Sequence, residues 1–170
     1  KYTSLDMKVQ LDTLLYNNGK GERDSLFDLS VNASLLKSHY YAQITSGHPY
    51  VRLDTQLEGE FEKKNISTQG YIDLQRLDLM HLPQIVAVDL GQISMESDIS
   101  GSYDYGDNAY ADIFVHTFTY DDGNRITPFD EIDIRLNSSE NNLEGSFESG
   151  DASLRFSADK SINGVMASVD

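Results

Sequence analysis

The groups in this chain that could do chemistry are four histidines, 28 acidic side chains and ten tyrosines. His39, His48, His81 and His116 fall at no metal-ligand spacing, and no HExxH, GxSxG, P-loop or glycine-rich dinucleotide turn occurs. Asp121 with Asp122, Asp130 with Glu131, and Glu58 with Glu60 offer the paired carboxyls that glycoside hydrolysis uses. With 28 acids in 170 residues, such pairs arise from number alone. Asp104, Asp107 and Asn108 carry calcium-type oxygens but lack the glycine and distal glutamate of a full calcium loop, so they read as a turn. Cysteine is absent, which removes disulfides, thiolate–zinc sites and a thiol nucleophile. Nowhere do an acid, a base and a nucleophile gather. An enzyme is therefore the least expected class, and neither a cofactor nor a metal is expected.

Two features point to binding. Tyr40, Tyr41 and Tyr50, and again Tyr103, Tyr105 and Tyr110, lie close in sequence. Aromatic faces on a β-sheet can stack on sugars, although tyrosine is also a favoured strand residue. Asn32, Asn65 and Asn137 fit the N-x-Ser/Thr acceptor pattern, which has meaning only in a host that glycosylates. The net charge of −15 excludes nucleic acid as a partner, because phosphates demand Lys and Arg. It also opposes docking on anionic lipid surfaces. Between Arg76 and Arg125 stand nine acidic residues and no Lys or Arg, a pattern that keeps a β-rich surface solvated.

The elements that must position these groups announce themselves by a two-residue beat. Phe27, Leu29, Val31, Ala33 and Leu35 alternate with polar residues, as do Ile132, Ile134 and Leu136, and Leu154, Phe156 and Ala158. Strand side chains point to opposite faces in turn, so the beat writes a sheet with one apolar and one wet face. Expected strands begin at Leu5–Leu11, Leu26–Leu35 and Tyr40–Ile44. They continue with Val51–Phe61, Ile66–Leu74 and Ile93–Tyr103. Ile132–Leu136, Leu143–Phe147, Ala152–Ala158 and Val165–Ala167 close the series. Asn17–Gly21, Glu62–Asn65, Asp104–Asn108 and Asp121–Asn124 read as turns. The mixed spacing of Leu74, Leu77, Leu79 and Leu82 before Pro83 reads as one short helical turn. Ala109–Tyr120 is apolar on both faces, with Ala111, Ile113 and Val115 on one and Tyr110, Phe114 and Phe118 on the other. Such a strand is expected to be covered twice, by the segment around Leu77–Leu90. The longest smooth apolar run, Ile85–Val88, is far short of the roughly 20 residues of a membrane helix. Residues 1–170 read as one β-rich domain or as a fragment of a longer, repeat-like β protein.

Three segments share one cadence of aliphatic, polar, Gly, polar, aromatic: Leu57–Phe61, Ile99–Tyr103 and Leu143–Phe147. Leu90-Gly91-Gln92-Ile93-Ser94-Met95-Glu96-Ser97-Asp98-Ile99-Ser100-Gly101 resembles a recurring cadence of the AsmA/TamB family. Gly70 to Leu79, a strand running into "LDL", is similar to it, as is Ile132–Leu136 followed by Leu143–Phe147. The style is nearest to the long TamB-like envelope proteins of Bacteroidetes. That resemblance implies a sheet curled into a half-open trough, hydrophobic inside, in a protein anchored in the inner membrane and stretched across the periplasm. Such proteins are thought to assist outer-membrane assembly and to carry phospholipid. This chain would be an internal stretch of the trough, reaching its anchor and the outer-membrane assembly proteins through segments outside it.

The expected architecture is thus all-β: an elongated, mainly antiparallel sheet curled into a half-open trough, with a closed β-sandwich as the alternative. No long amphipathic helix is at hand to cover the apolar face. Its residues would be Val51, Leu53, Leu57, Phe61, Ile93, Met95, Ile99, Ile113, Val115, Ile132, Ile134, Leu143, Phe147, Leu154 and Phe156. They either face phospholipid acyl chains or form a closed core. The expected function is non-catalytic holding or passage of phospholipid in the periplasm and cell envelope. A carbohydrate-binding or adhesin-like β-sandwich of the cell surface is the second reading, and a small outer-membrane barrel the third.

Overall fold

A computed structural model describes residues 4–17, 23–79, 91–104 and 108–166 of the chain. The strands are β1 (Leu5–Asn17), β2 (Arg23–Leu36), β3 (His39–His48), β4 (Val51–Phe61) and β5 (Asn65–Asp78). Then come β6 (Gln92–Asp104), β7 (Ala109–Asp121), β8 (Ile126–Phe129), β9 (Ile132–Ser139), β10 (Asn142–Ser149) and β11 (Ala152–Ala158), and the short helix α1 (Ile162–Met166) closes the described chain. All strands belong to one 11-stranded antiparallel sheet, in the order β1-β2-β3-β4-β5-β6-β7-β9-β10-β11, with β8 beside β7.

Each neighbour in this order is a neighbour in sequence, except where β8 branches off. The turns make that possible. Lys37–Ser38, Pro49–Tyr50, Glu140–Asn141 and Gly150–Asp151 are two-residue connections. Lys37 (φ 57°) and Gly150 (φ 54°) take the left-handed conformation that matches such turns to the twist of the strands. Asp122 Oδ1 accepts from the backbone N–H groups of Asn124 and Arg125, and Asp121 Oδ1 from that of Gly123, which fixes the turn after β7.

Two bulges keep the apolar side continuous where the beat breaks. In β5, Leu53 pairs with Leu74 and Arg52 with Arg76, so Gln75 is the extra residue and Leu77 returns to the side of Leu74. This bulge is the cause of the mixed spacing that reads as a helical turn: Leu74 and Leu77 are in a strand that runs to Asp78. Leu79, just past the strand, is in a 3-10 turn, and Leu82 and Pro83 lie outside the described residues. In β7, Glu96 pairs with Thr117 and Ser97 with Val115, so His116 is the extra residue. The shift carries Phe118 to the side of Ile113 and Val115, not to that of Tyr110 and Phe114 as strict alternation predicts. A bulge adds one residue to one strand and resets its alternation.

Further corrections concern β8 and the C-terminus. Ile126–Phe129 pairs with the second half of β7, while the first half pairs with β9. Pro128 within this short stretch hides it from pattern reading. Val165, expected in a strand, belongs to α1, whose entry is fixed by Ser161: its Oγ accepts from the Gly164 N–H at 3.3 Å in a helix N-cap arrangement. Ala167 and the segment 80–90, expected to cover β7, lie outside the described residues, as does most of the Asn17–Gly21 turn.

The sheet is not closed, since β1 and β11 stand at opposite ends of the strand order. It is the expected half-open trough: among the described residues no second sheet stacks on it. The chain exposes 11768 Å², against about 8,400 Å² for a compact monomer of 19.1 kDa.

Candidate functional site

In an antiparallel ladder, directly opposite residues project from the same face. The register therefore assigns every expected apolar residue to a side. Val51, Leu53, Leu57 and Phe61 stand opposite Leu77, Leu74, Gly70 and Ile66. Those four stand opposite Ile93, Met95, Ile99 and Tyr103. Ile99 and Met95 then meet Ile113 and Phe118, and Ser97 meets Val115. Ile113 and Val115 meet Ile134 and Ile132. Ile134 meets Phe147, and Ser138 meets Leu143. Phe147 meets Leu154, and Gly145 meets Phe156. All of the candidate residues named from the beat thus share one face. Sequence reading left out Leu29, Val31, Leu35, Tyr40, Ile44, Ile66, Ile72, Leu74, Leu77, Phe118 and Leu136, which the same register adds to it. Most of these carry the same beat, but Phe118 needed the bulge.

The face is apolar but not dry. Among the described residues only Val115 and Leu143 are buried hydrophobics, at 5% and 6% exposure. Val51, Leu53, Leu57, Ile93, Met95, Ile99, Ile113, Ile132 and Phe147 are half-buried. On the edge strands β1 and β11, Leu5 is 61% exposed and Leu154 62%, with Met7, Val9 and Phe156 exposed as well; Phe61 in β4 and Ile134 in β9 are exposed inside the strand order. The two buried hydrophobics sit in β7 and in β10, the strand beside the β11 edge, while the large apolar residues described on the edge strands β1 and β11 are exposed and form two lips.

Small groups line its floor. Thr55, Ile72, Ser97 and Val115 form one row across β4 to β7. Ser97 is 2% exposed and its hydroxyl has no hydrogen-bond partner among the described residues. Gly59 sits beneath the Tyr40 ring and Gly145 beneath the Phe156 ring, so two glycines of the shared cadence make room for a cross-strand aromatic. Tyr40 also donates to Ser67 O at 3.1 Å and packs on Phe61 with ring centroids 4.9 Å apart. At this end of the trough α1 folds over the apolar face. The Ile162 N–H donates to Ser138 Oγ at 2.9 Å, and Asn163 Nδ2 donates to the Tyr103 hydroxyl at 3.4 Å.

The opposite face is polar and cross-linked between strands. Gln43 donates to Asp54 and Gln69 to Glu58 across neighbouring strands, while Tyr110 donates to Asp112 within β7. Ser94 and Thr119 share a 2.6 Å hydrogen bond, and Arg155 pairs with Glu148 at 2.8 Å. The Arg155 guanidinium lowers the Glu148 carboxyl, and backbone N–H groups of Asn124 and Arg125 lower that of Asp122. Asp112, accepting from Tyr110, raises that phenol; partial desolvation and then the Asp54 charge raise Tyr71. A groove of about 480 Å³ on this face passes Ser34, His39, Tyr41, Glu58, Glu60 and Gln69.

The groups suited to chemistry do not converge. His39 pairs with Glu60 and His116 with Asp98, while His48 is buried beside Tyr50. His81 lies outside the described residues. Among the described residues no three metal-ligating side chains gather. Asp104 accepts from both the N–H and the side-chain amide of Asn108, as a turn would have it; Asp107 lies outside the described residues. Neither tyrosine cluster forms a platform, because strand alternation splits Tyr40 from Tyr41 and Tyr103 from Tyr110; Tyr105 lies outside the described residues. No described helix is long and apolar enough to cross a membrane.

No family model, no curated protein and no solved structure matches the chain. The likeness to the AsmA/TamB family accordingly rests on the quoted residues themselves.

Proposed function

We propose that this chain is a non-catalytic stretch of a cell-envelope protein whose apolar trough holds or conducts phospholipid in support of outer-membrane biogenesis. One observation carries the reading: an apolar face continuous across ten strands stays half-exposed, with no second layer over it among the described residues. Leaving that much hydrocarbon in water is unfavourable by roughly 25 cal/mol per Å², so the face calls for a guest. A 13-residue strand such as β6 runs about 43 Å at roughly 3.3 Å per residue. One leaflet of acyl chain spans about half of a ~30 Å hydrocarbon core, so it fits along the trough floor without a polar contact. The acidic outer face keeps the carrier soluble between membranes. In this reading the anchor and the outer-membrane assembly partners engage through segments outside residues 1–170, and the compartment is the periplasm.

The test is native mass spectrometry of the chain purified from bacteria, followed by solvent extraction and lipid analysis. Co-purifying phospholipid in stoichiometric amount is expected. It should be lost in Leu154→Asp, a lip position whose exposure lets the fold survive, and in Phe147→Asp deeper in the trough. A clean apo mass with no uptake of fluorescent phospholipid would sink the reading and make the apolar face a structural one.

A further inference from the structure

Three rings stand on the polar face, on every second inner strand. Tyr41 is in β3, Tyr71 in β5 and Phe114 in β7, all half-buried. The register sets two of them in one line across the sheet: Gln43, Gln56, Tyr71, Asp98, Phe114 and Asp133 stand opposite one another in turn. Tyr41 takes the next position of β3 on that face, opposite Glu58. Its phenol is near enough to act on that of Tyr71.

Phe114 has nothing to offer water, yet its ring is fixed there. His116 packs on it edge to face, with centroids 4.8 Å apart, and is itself held by Asp98 at 2.8 Å. A hollow accompanies each ring. The 480 Å³ groove passes Tyr41, Glu58 and Gln69. One of about 220 Å³ lies between Tyr71, Asp98 and His116, and one of about 390 Å³ between Phe114, Asp133 and Glu148.

We propose that this strip binds a neutral, extended glycan laid across the strands, its sugars stacked on Tyr41, Tyr71 and Phe114. Strands lie about 4.8 Å apart, so rings on every second strand recur at about 10 Å. A sugar of an extended β-linked chain advances roughly one such interstrand step. Every second sugar therefore meets an aromatic face, which suits the C–H side of a pyranose. The sugars between lie over β4 and β6, where Gln56, Glu58 and Asp98 offer an amide and two carboxylates to hydroxyls. The three rings come from separate segments, so no tyrosine cluster in the sequence marks the strip.

Charge narrows the ligand. The side chains of the strip from Tyr41 to Phe114 include no Lys or Arg, so a phosphate or uronate would meet only carboxylates. An acyl chain would find the rings interrupted by polar groups. A basic peptide is the competing ligand, and its attraction would fade with salt, unlike that of a neutral glycan. The strip lies on the face away from the trough and is independent of what the trough holds.

Isothermal titration of the whole chain with cellohexaose and with N-acetylated chitohexaose tests the proposal, beside cellobiose, hexagalacturonate and hexalysine. At least one neutral hexasaccharide is expected to bind, and to keep binding in high salt. Cellobiose reaches a single ring and should bind at least about tenfold more weakly. Tyr71→Leu and Phe114→Leu keep apolar bulk but remove the flat ring; each should weaken hexasaccharide binding by roughly tenfold, while Phe114→Tyr stays within about threefold. Circular dichroism should show these variants folded as wild type. Leu154→Asp, on the apolar face, should leave glycan binding unchanged, which separates this site from the trough. Four outcomes would each overturn the proposal: no binding of either neutral hexasaccharide, binding indifferent to both leucine variants, binding lost in Leu154→Asp, or preference for hexagalacturonate or hexalysine.

Discussion

Gly59 and Gly145 occupy the same place in the repeated cadence, yet they are not equivalent. The atoms nearest a Cβ on Gly145 are those of the Phe156 ring, the far end of a side chain that is 50% exposed on an edge strand and free to swing away. A Cβ on Gly59 would run into the backbone carbonyl of Ser67 in the next strand as well as the Tyr40 ring. Gly59→Ala is therefore expected to cost at least about 2 kcal/mol, within the range of overpacked sites. Gly145→Ala should cost under about 1 kcal/mol, both read from urea unfolding midpoints at constant slope. Titration speaks at this scale too. Glu148 and Asp122 have lowered carboxyl pKa values. Their contribution is present above the ordinary carboxylate range and is lost as pH falls through the lowered values. The hydrogen-exchange protection factors at Ala152–Ala158, the strand that Glu148 tethers through Arg155, should fall on acidification below that range, and Glu148→Gln should show the lower protection already at neutral pH.

At the scale of elements, the bulges and the short helix decide what the strands present. The Gln75 and His116 bulges hold Leu77 and Phe118 on the apolar side. Without them the beat would hand both residues to water. α1 has only five residues and no long apolar stripe. It stays in place through Ser161, which caps it, and Ser138, which receives its first N–H. Ser161→Ala is expected to cost about 1 kcal/mol, a typical loss for an N-cap. It should release α1 alone: exchange at 162–166 should rise while β4 to β7 keep their protection. A loss of protection across the whole sheet would mean that α1 is integral to the fold rather than draped on it.

For the whole molecule, an inner strand and an edge strand of the same face differ in what a substitution costs. Val115, at 5% exposure, and Leu154, at 62%, sit on one face but in different surroundings. Val115→Ala should cost about 2 kcal/mol through lost burial and a residual cavity, whereas Leu154→Ala should stay within about 0.5 kcal/mol. Equal costs in thermal or urea unfolding would mean that the lips are covered in solution, by a guest or by a second copy.

Most of this architecture was legible in the residues. The beat from Phe27 to Leu35 and from Ile132 to Phe156 determined strands, their two faces and the membership of the apolar side, because side-chain direction in a strand is a local consequence of backbone geometry. The fate of the apolar side was not local. Whether Leu154 ends in a core or at a lip depends on whether a second layer returns to cover it, and that is a property of long-range pairing. Only the tertiary structure decided that the sheet stays open. It also decided that Tyr40 and Tyr41 part to opposite faces of one sheet, that Val165 turns into a helix, and that bulges at Gln75 and His116 carry the apolar side past the places where the beat fails. A bulge costs one residue of sequence and has no residue type of its own, so it becomes visible only when the partner strand is in place.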